Sequence, residues 1–397
     1  MSRAAVGAGR WRPRAETRAS AFHFTVFLSI GVASVYFAIW LSGQGYSAEQ
    51  IGIFNAVPVV VTMALNMLVG RLADRASDWR GTIIVLAIVA GLSPFGLFFF
   101  SDFWGLLVVW TVVAVSAAII SPLTDAATVR LTQRNGTDFG FVRAWGTVGY
   151  MVAVAGSGVV VGIFGPVAFV PLLAAASVLR ALLALQLPRF RDAANLLPPV
   201  TSAGPATLAI MRQPWFILPI FAFALVQSTH MLLSVFAALA WKEQGIAEGT
   251  IGQLLAVAAA SEAAMMFLWR RANFRFSARH MILAAGIATL LRWTVMAFEP
   301  WLPLLYLVQA LHAVSYGMGY MGLVLFIANW TREDVAAQAQ GVAFVVVQSV
   351  TVVTLLGFGA LYDAFGTLAF LSAAGFGVLA AACVGMSLAL KPVRSES

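Results

Sequence analysis

Asp125 and Glu262 are the two acidic residues that fall well inside long apolar runs, and Arg143 and Arg292 are the clearest bases placed the same way. His230 and His312 lie inside two further runs. An ionised side chain is costly in hydrocarbon, so such residues face the interior of a helix bundle and pair with one another. Asp125 and Arg143 occupy adjoining parts of two consecutive runs that must fold back on each other, so they can meet across a hairpin. Glu262, Arg292 and His312 all come out near the middle of their runs. An acid, an arginine and a histidine at one depth form a set able to couple to a proton. The alternative for each acid–arginine pair is mutual neutralisation that only fixes packing. The alternative for a lone histidine is a packing hydrogen bond.

The histidines carry a local echo, Gln227-Ser228-Thr229-His230 and Gln309-Ala310-Leu311-His312. A spacing of three places each glutamine and histidine on one helix face, and two such faces would line a polar cavity. Arg143 or Arg292 is suited to hold a carboxylate by a two-pronged contact. Tyr36, Trp145, Trp293, Tyr316 and Tyr320 are candidates for aromatic walls, with ordinary lipid-facing or interfacial placement as the alternative for each. The sequence holds no HExxH zinc site, no Walker loop and no dense His/Cys cluster. Its single cysteine, Cys383, excludes a disulfide framework or a multi-thiolate metal site. No metal and no cofactor are expected, and an enzyme is not favoured.

The elements that must position these residues are the apolar runs themselves. Of 397 residues 61% are hydrophobic and 10% charged, against about a quarter charged in a soluble protein, and the mean hydropathy is +0.90. That excludes the soluble-enzyme, nucleic-acid-binding and disordered classes. At ~20 residues per crossing the inventory suffices for about twelve spans. They read as 22–41, 51–70, 82–100, 103–124, 143–164, 166–187, 214–239, 250–269, 281–298, 302–328, 338–361 and 366–390.

The net charge of +8 is topological. Alternate gaps hold Arg71, Arg75 and Arg80, then Arg130 and Arg134, then Arg189, Arg191 and Arg212, then Arg270, Arg271, Arg275 and Arg279, and then Arg332. The N-terminal tail adds Arg3, Arg10, Arg12, Arg14 and Arg18, and the C-terminal tail Lys391 and Arg394. The other gaps hold only Lys242 beside several acids. Basic residues mark the cytoplasmic side, so both termini are expected there. The first run is longer than a signal-peptide core and reads as a permanent span. A Pro-, Gly- and Ser-containing gap divides the chain. The expected layout is a cytoplasmic tail 1–21, a six-helix bundle 22–187, a linker 188–213, a second six-helix bundle 214–390 and a tail 391–397.

The halves repeat at an offset of 200. Gln44-Gly45 with Ile51-Gly52 corresponds to Gln244-Gly245 with Ile251-Gly252, in equivalent loops. Parallel six-span repeats with the substrate site between them are a recurring transporter plan.

Gly70-Arg71-Leu72-Ala73-Asp74-Arg75 resembles the G-x-L-A-D-R loop of the major facilitator superfamily. Its ending departs from the usual one, with Ser77-Asp78-Trp79-Arg80 in place of a glycine-basic pattern. The resemblance implies that Gly70, Asp74 and Arg75 latch the cytoplasmic ends of the halves, an anchoring loop being the alternative. Ser121-Pro122-Leu123-Thr124-Asp125 and the segment from Asp138-Phe139-Gly140 through Arg143-Ala144-Trp145-Gly146-Thr147 are similar to motifs of the phenylpropionate permease family. Phe139 replaces a common tyrosine and Thr147 a serine. Phe276-Ser277-Ala278-Arg279-His280, Leu291-Arg292-Trp293 and Val308-Gln309-Ala310-Leu311-His312 continue the similarity, which covers nearly the whole chain.

That resemblance implies an all-α integral membrane protein of twelve helices in two six-helix repeats, related in plan to the lactose permease group. It implies proton symport of a small solute, an aromatic monocarboxylate such as 3-phenylpropionate first of all. Asp125 and Arg143, with Trp145, Gln227, His230 and Gln309, would bind substrate. Glu262, Arg292 and His312 would couple it to the proton, with Glu262 preferred as carrier because Ser315 stands where the lactose permease group has an acid. A sugar or nucleoside permease, or an efflux transporter of the same fold, is the alternative; a sensor or a membrane transferase is a more distant one. The partners implied are a small-molecule substrate, protons and the lipid bilayer of a bacterial cytoplasmic membrane. No nucleic acid is implied, and a monomer is expected.

Overall fold

The computed structural model describes residues 14–75, 78–137, 139–190, 212–272, 276–330 and 333–391; within these, side chains 66–75, 266–272 and 333–340, and those of 35, 133, 140 and 328, fall outside the described set. The N-terminal half consists of α1 (Ala15–Gly43), α2 (Ala48–Arg75), α3 (Trp79–Leu92), α4 (Phe103–Asn135), α5 (Phe139–Phe164) and α6 (Phe169–Ala184). In the C-terminal half α7 (Pro214–Leu232) continues through a π turn, Leu233–Ala237, into α8 (Ala238–Glu243). Next come α9 (Glu248–Ala272) and α10 (Ala278–Ala297). A second π turn, Ala313–Met318, lies between α11 (Leu302–Ala310) and α12 (Gly319–Trp330). The long α13 (Glu333–Phe365) and α14 (Phe370–Leu390) complete the half. Among the described residues ten stretches are long and apolar enough to cross a membrane.

Helix ends differ from the hydropathy boundaries where polar residues can finish a helix beyond the apolar run. α1 starts at Ala15, inside the stretch expected as a tail, with Glu16 in its first turn bonded by Asn135 Nδ2 at 2.6 Å. α4 runs on to Asn135, well past 124, which puts Asp125 in the body of a helix rather than near its end. The linker residues 191–211 lie outside the described residues.

The offset of 200 is physical. Gly45 and Gly245 both take positive φ, 89° and 79°, and each ends its helix in the same way. Tyr46 N donates to Leu41 O and Gly45 N to Ser42 O; Ile246 N donates to Trp241 O and Gly245 N to Lys242 O. This six-to-one and five-to-two pairing satisfies carbonyls left over at a helix end, and glycine reaches the left-handed conformation without steric cost.

The second glycine of each copy does something else. A Cβ on Gly52 would lie 2.7 Å from Leu355 O, and one on Gly252 2.8 Å from Val154 O. Reciprocally, a Cβ on Gly359 would lie 2.8 Å from Ala48 O, and one on Gly158 2.8 Å from Glu248 O. So α2 crosses α13, and α9 crosses α5, by the same backbone-to-backbone contact that only small residues permit. Both crossings join the two halves, at the end of the bundle that carries the 43–48 and 243–248 turns. Among the described residues the hydrogen bonds between the halves lie there too, from Tyr36 Oη to Glu248 O and from the Ala48 and Glu49 amides to Asp363.

At the opposite, linker end each half is tied off by an arginine. Arg80 Nη2 donates to Leu185 O at 2.9 Å and Arg279 Nη1 to Ser387 O at 3.0 Å. Arg80 stands at the start of α3 and Arg279 at the start of α10, and each meets the carbonyl end of its half's last helix, where cations are favoured.

Candidate functional site

In the N-terminal half three helices converge on one carboxylate. Arg143 Nε of α5 lies 3.1 Å from Asp125 Oδ1 of α4, the hairpin pairing that the spacing predicts. The Arg143 guanidinium also stacks on Phe27 of α1, 4.1 Å from its ring centroid. His23, one helical turn before Phe27, approaches Asp125 Oδ1 with Nδ1 at 3.8 Å and shares a 3.0 Å hydrogen bond between Nε2 and Thr128 Oγ1. His23 escaped the sequence reading, although a histidine inside the first apolar run is the same signal that singles out His230.

The C-terminal cluster is assembled from α7, α9, α10, the end of α11 and the second π turn. Arg292 Nη2 donates to Gln309 Oε1 at 2.7 Å, and Arg292 Nη1 lies 3.3 Å from His312 Nδ1 and 3.5 Å from Ser315 Oγ. His312 Nε2 is 3.6 Å from Glu262 Oε2. His230 reaches Ser315 Oγ with Nε2 at 3.1 Å. The rings of His312 and Tyr316 stack at 5.2 Å, and His230 stands edge-on to His312 at 5.0 Å. Gly317 makes room for α9: a Cβ there would come within 3.1 Å of Glu262 Cγ.

This arrangement corrects one expectation. Glu262 and Arg292 do not form a direct ion pair among the described residues. His312 stands between them, with one ring nitrogen toward each. Sequence spacing fixed only position along each helix, and the azimuth of three helices decided who touches whom.

The other expected site residues divide. Gln309 is fully buried and His230 nearly so, both packed around Arg292 and Ser315. Gln227 Oε1 is buried without a hydrogen-bond partner among the described residues. Trp145 is not with Arg143. Two residues along a helix turn through about 200°, and Trp145 instead lines a 570 Å³ groove with Phe24, Phe141, Leu179 and Leu183 on the other face of α5. Gly70, Asp74 and Arg75 fall in the backbone of α2, but their side chains lie outside the described residues. Ser315, named in the sequence only as a missing acid, is the hub that Arg292 and His230 share.

The two clusters face one another. Arg143 of the first half lies within electrostatic reach of Glu262 and Tyr316 of the second, and Tyr150 of α5 borders the same space. Each cluster brings together one acid and one arginine, so the two charges of a cluster offset one another. No group of three His, Cys, Asp or Glu residues arranged to hold a metal occurs among the described residues.

The model of the MFS_1-like family matches residues 17–382. A probable 3-phenylpropionic acid transporter of Escherichia coli K12 is 28% identical over 351 residues, 87% of this chain and 90% of that protein. A maltose permease of Geobacillus stearothermophilus is 27% identical over 330 residues, 80% of each. The fold is that of the nucleoside transporter NupG, with a TM-score of 0.78 at 16% identity over 95% of this chain and 99% of that one. A bacterial homologue of the lysosomal transporter Spinster, solved inward-facing and unoccupied, gives a TM-score of 0.73 over 96% and 98%. The relatives are transporters and not enzymes, and the chain belongs to the MFS_1-like family of membrane transporters.

Proposed function

We propose that the protein is a secondary active symporter that carries a small aromatic monocarboxylate, 3-phenylpropionate being the first candidate, together with a proton. The observation that carries this reading is how exposure is divided among the charged groups. The side chains of Arg143, Asp125 and Glu262 are 30%, 34% and 23% exposed, whereas Arg292 is fully buried. An incoming carboxylate therefore meets Arg143, whose planar fork suits two-pronged binding. Glu262 feels the same cation from the opposite half. While ionised it competes with the substrate carboxylate for that field. Protonating Glu262 removes the competitor, so proton and anion bind together and cross as a neutral pair. When the proton leaves, His312 Nε2–H faces the carboxylate that remains. The relative described as a probable 3-phenylpropionic acid transporter supports the substrate class, and the maltose permease supports a sugar as the second reading.

The ten apolar stretches become twelve crossings when α9 is added and the stretch Gly341–Leu390 is divided between α13 and α14. The arginine-rich gaps put the linker end and both termini in the cytoplasm, in a bacterial inner membrane. The glycine crossings then close the outer face, and the state is inward-facing. Gly70, Asp74 and Arg75 serve as the latch of the cytoplasmic face when that face shuts. Both charged clusters lie within one chain, so a monomer suffices. The test is purified protein in proteoliposomes with an alkaline interior. Labelled 3-phenylpropionate should accumulate and leave again on addition of a protonophore. Accumulation of maltose instead would change the substrate class, and uptake indifferent to the gradient would remove the coupling.

A further inference from the structure

The hydrogen bonds around Arg292 fix where both neighbouring histidines carry their protons. A carbonyl only accepts, so His230 Nδ1, 2.9 Å from Val226 O, bears hydrogen and its Nε2 is a bare lone pair. Ser315 must then donate its hydroxyl to that nitrogen, which leaves the Ser315 oxygen to accept from Arg292. A guanidinium only donates, so His312 Nδ1 facing Arg292 is also bare, and His312 carries its hydrogen on Nε2, toward Glu262. Every link of the chain His230–Ser315–Arg292–His312–Glu262 has one direction. A second proton on His312 would sit on Nδ1, against an Arg292 N–H.

We propose that Ser315 and His230 are positioning residues that pin Arg292 against His312 Nδ1, keep His312 neutral and leave Glu262 as the group that takes up and releases the coupling proton. The geometry is purpose-specific. Ser315 sits inside the π turn Ala313–Met318, where the widened turn re-aims side chains, and such turns recur at functional sites. The arginine is anchored on both terminal nitrogens, by Gln309 on Nη2 and by Ser315 on Nη1. The charged and titratable groups facing the two histidines are Arg292 of α10, Glu262 of α9 and Tyr316 of the π turn, with Tyr320 stacked beyond it. Next to these, Arg143 of α5 acts on Glu262 and Tyr316, and Tyr150 of α5 acts on Tyr316. Without the Ser315 oxygen the Nη1 side of Arg292 keeps only His312, and the guanidinium is free to swing aside when that ring is protonated.

The protonation claim stands apart from substrate and coupling; only its transport consequence rests on the proton-symport reading. The experiment is a nitrogen-15 NMR titration of histidine-labelled protein in nanodiscs between pH 5 and 8, with signals assigned by single histidine-to-asparagine changes. In the unsubstituted protein His230 should show the Nδ1–H form and His312 the Nε2–H form throughout. In Ser315→Ala and in His230→Phe, His312 should begin to titrate near the ordinary value of about 6.5, and Ser315→Thr should restore the neutral form. In proteoliposomes the first two variants should lose gradient-driven accumulation of 3-phenylpropionate most strongly at the acid end of the range, and the threonine variant should retain it. His312 titrating in the unsubstituted protein, or staying neutral in both disruptive variants, would overturn the assignment whatever the transport assay gives. A failure of pH-driven uptake in the unsubstituted protein would instead reject the symport reading and leave the NMR result to decide this one.

Discussion

The Asp363 carboxylate of the C-terminal half accepts the Glu49 amide of the N-terminal half at 2.7 Å, and its other oxygen accepts the Ala48 amide at 2.9 Å. These are orphan donors of the first turn of α2, where a helix presents its positive end. A side chain from one half thus caps a helix of the other, beside the Gly52 and Gly359 crossing. The contact must break whenever that end of the bundle opens.

Asp363→Asn keeps one acceptor and removes the charge. A carboxylate at a helix N-terminus is worth about 1 kcal/mol, so the ratio of closed to open molecules at the turn end should fall roughly fivefold. A cysteine placed at Ile53 in a Cys383→Ser background should then react faster with a membrane-impermeant maleimide. Unchanged labelling would show that the glycine crossings alone hold the end shut.

Glycines of α5 separate packing from propensity. A Cβ on Gly149 would overlap Phe24 O of α1, whereas one on Gly156 would meet nothing within 4 Å. Gly149→Ala should cost about 1–3 kcal/mol through forced separation of α1 and α5. Gly156→Ala should be neutral or stabilising by up to about 1 kcal/mol, because alanine favours the helix. Thermal unfolding in detergent reads both, and equal shifts would contradict the packing described.

Arg143→Lys retains the charge beside Asp125 and loses the planar fork. If Arg143 holds the substrate carboxylate, binding should weaken about 10- to 100-fold, the equivalent of one charge-assisted hydrogen bond. Exchange and gradient-driven uptake should suffer alike. Equilibrium binding of 3-phenylpropionate by calorimetry checks it, and full affinity would remove Arg143 from the substrate site.

Glu262→Gln keeps the shape and most hydrogen bonding of the side chain while abolishing its titration. Accumulation driven by a pH gradient should disappear, and substrate exchange without net proton movement should survive, since alternating access needs only the neutral form. Retained accumulation by this variant would move the coupling proton to another group, with Asp125 next in line.

The sequence by itself determined the class of protein and much of its plan. Sixty-one per cent hydrophobic content and the segregation of arginines into alternate gaps call for a polytopic helical bundle, because only internally bonded helices satisfy the backbone in lipid. The repeat of Gln44-Gly45 and Ile51-Gly52 at 244–245 and 251–252 marked the duplication, since a left-handed turn and a backbone crossing each demand glycine. Asp125 and Arg143 were legible as partners because consecutive antiparallel helices leave little freedom. What the tertiary structure decided was azimuth. Glu262, Arg292 and His312 lie on different helices, and only their rotation about each axis put His312 between the two charges. The same rotation turned Trp145 away from Arg143, brought His23 to Asp125, and set Ser315, inside a π turn that no periodicity announces, between His230 and Arg292.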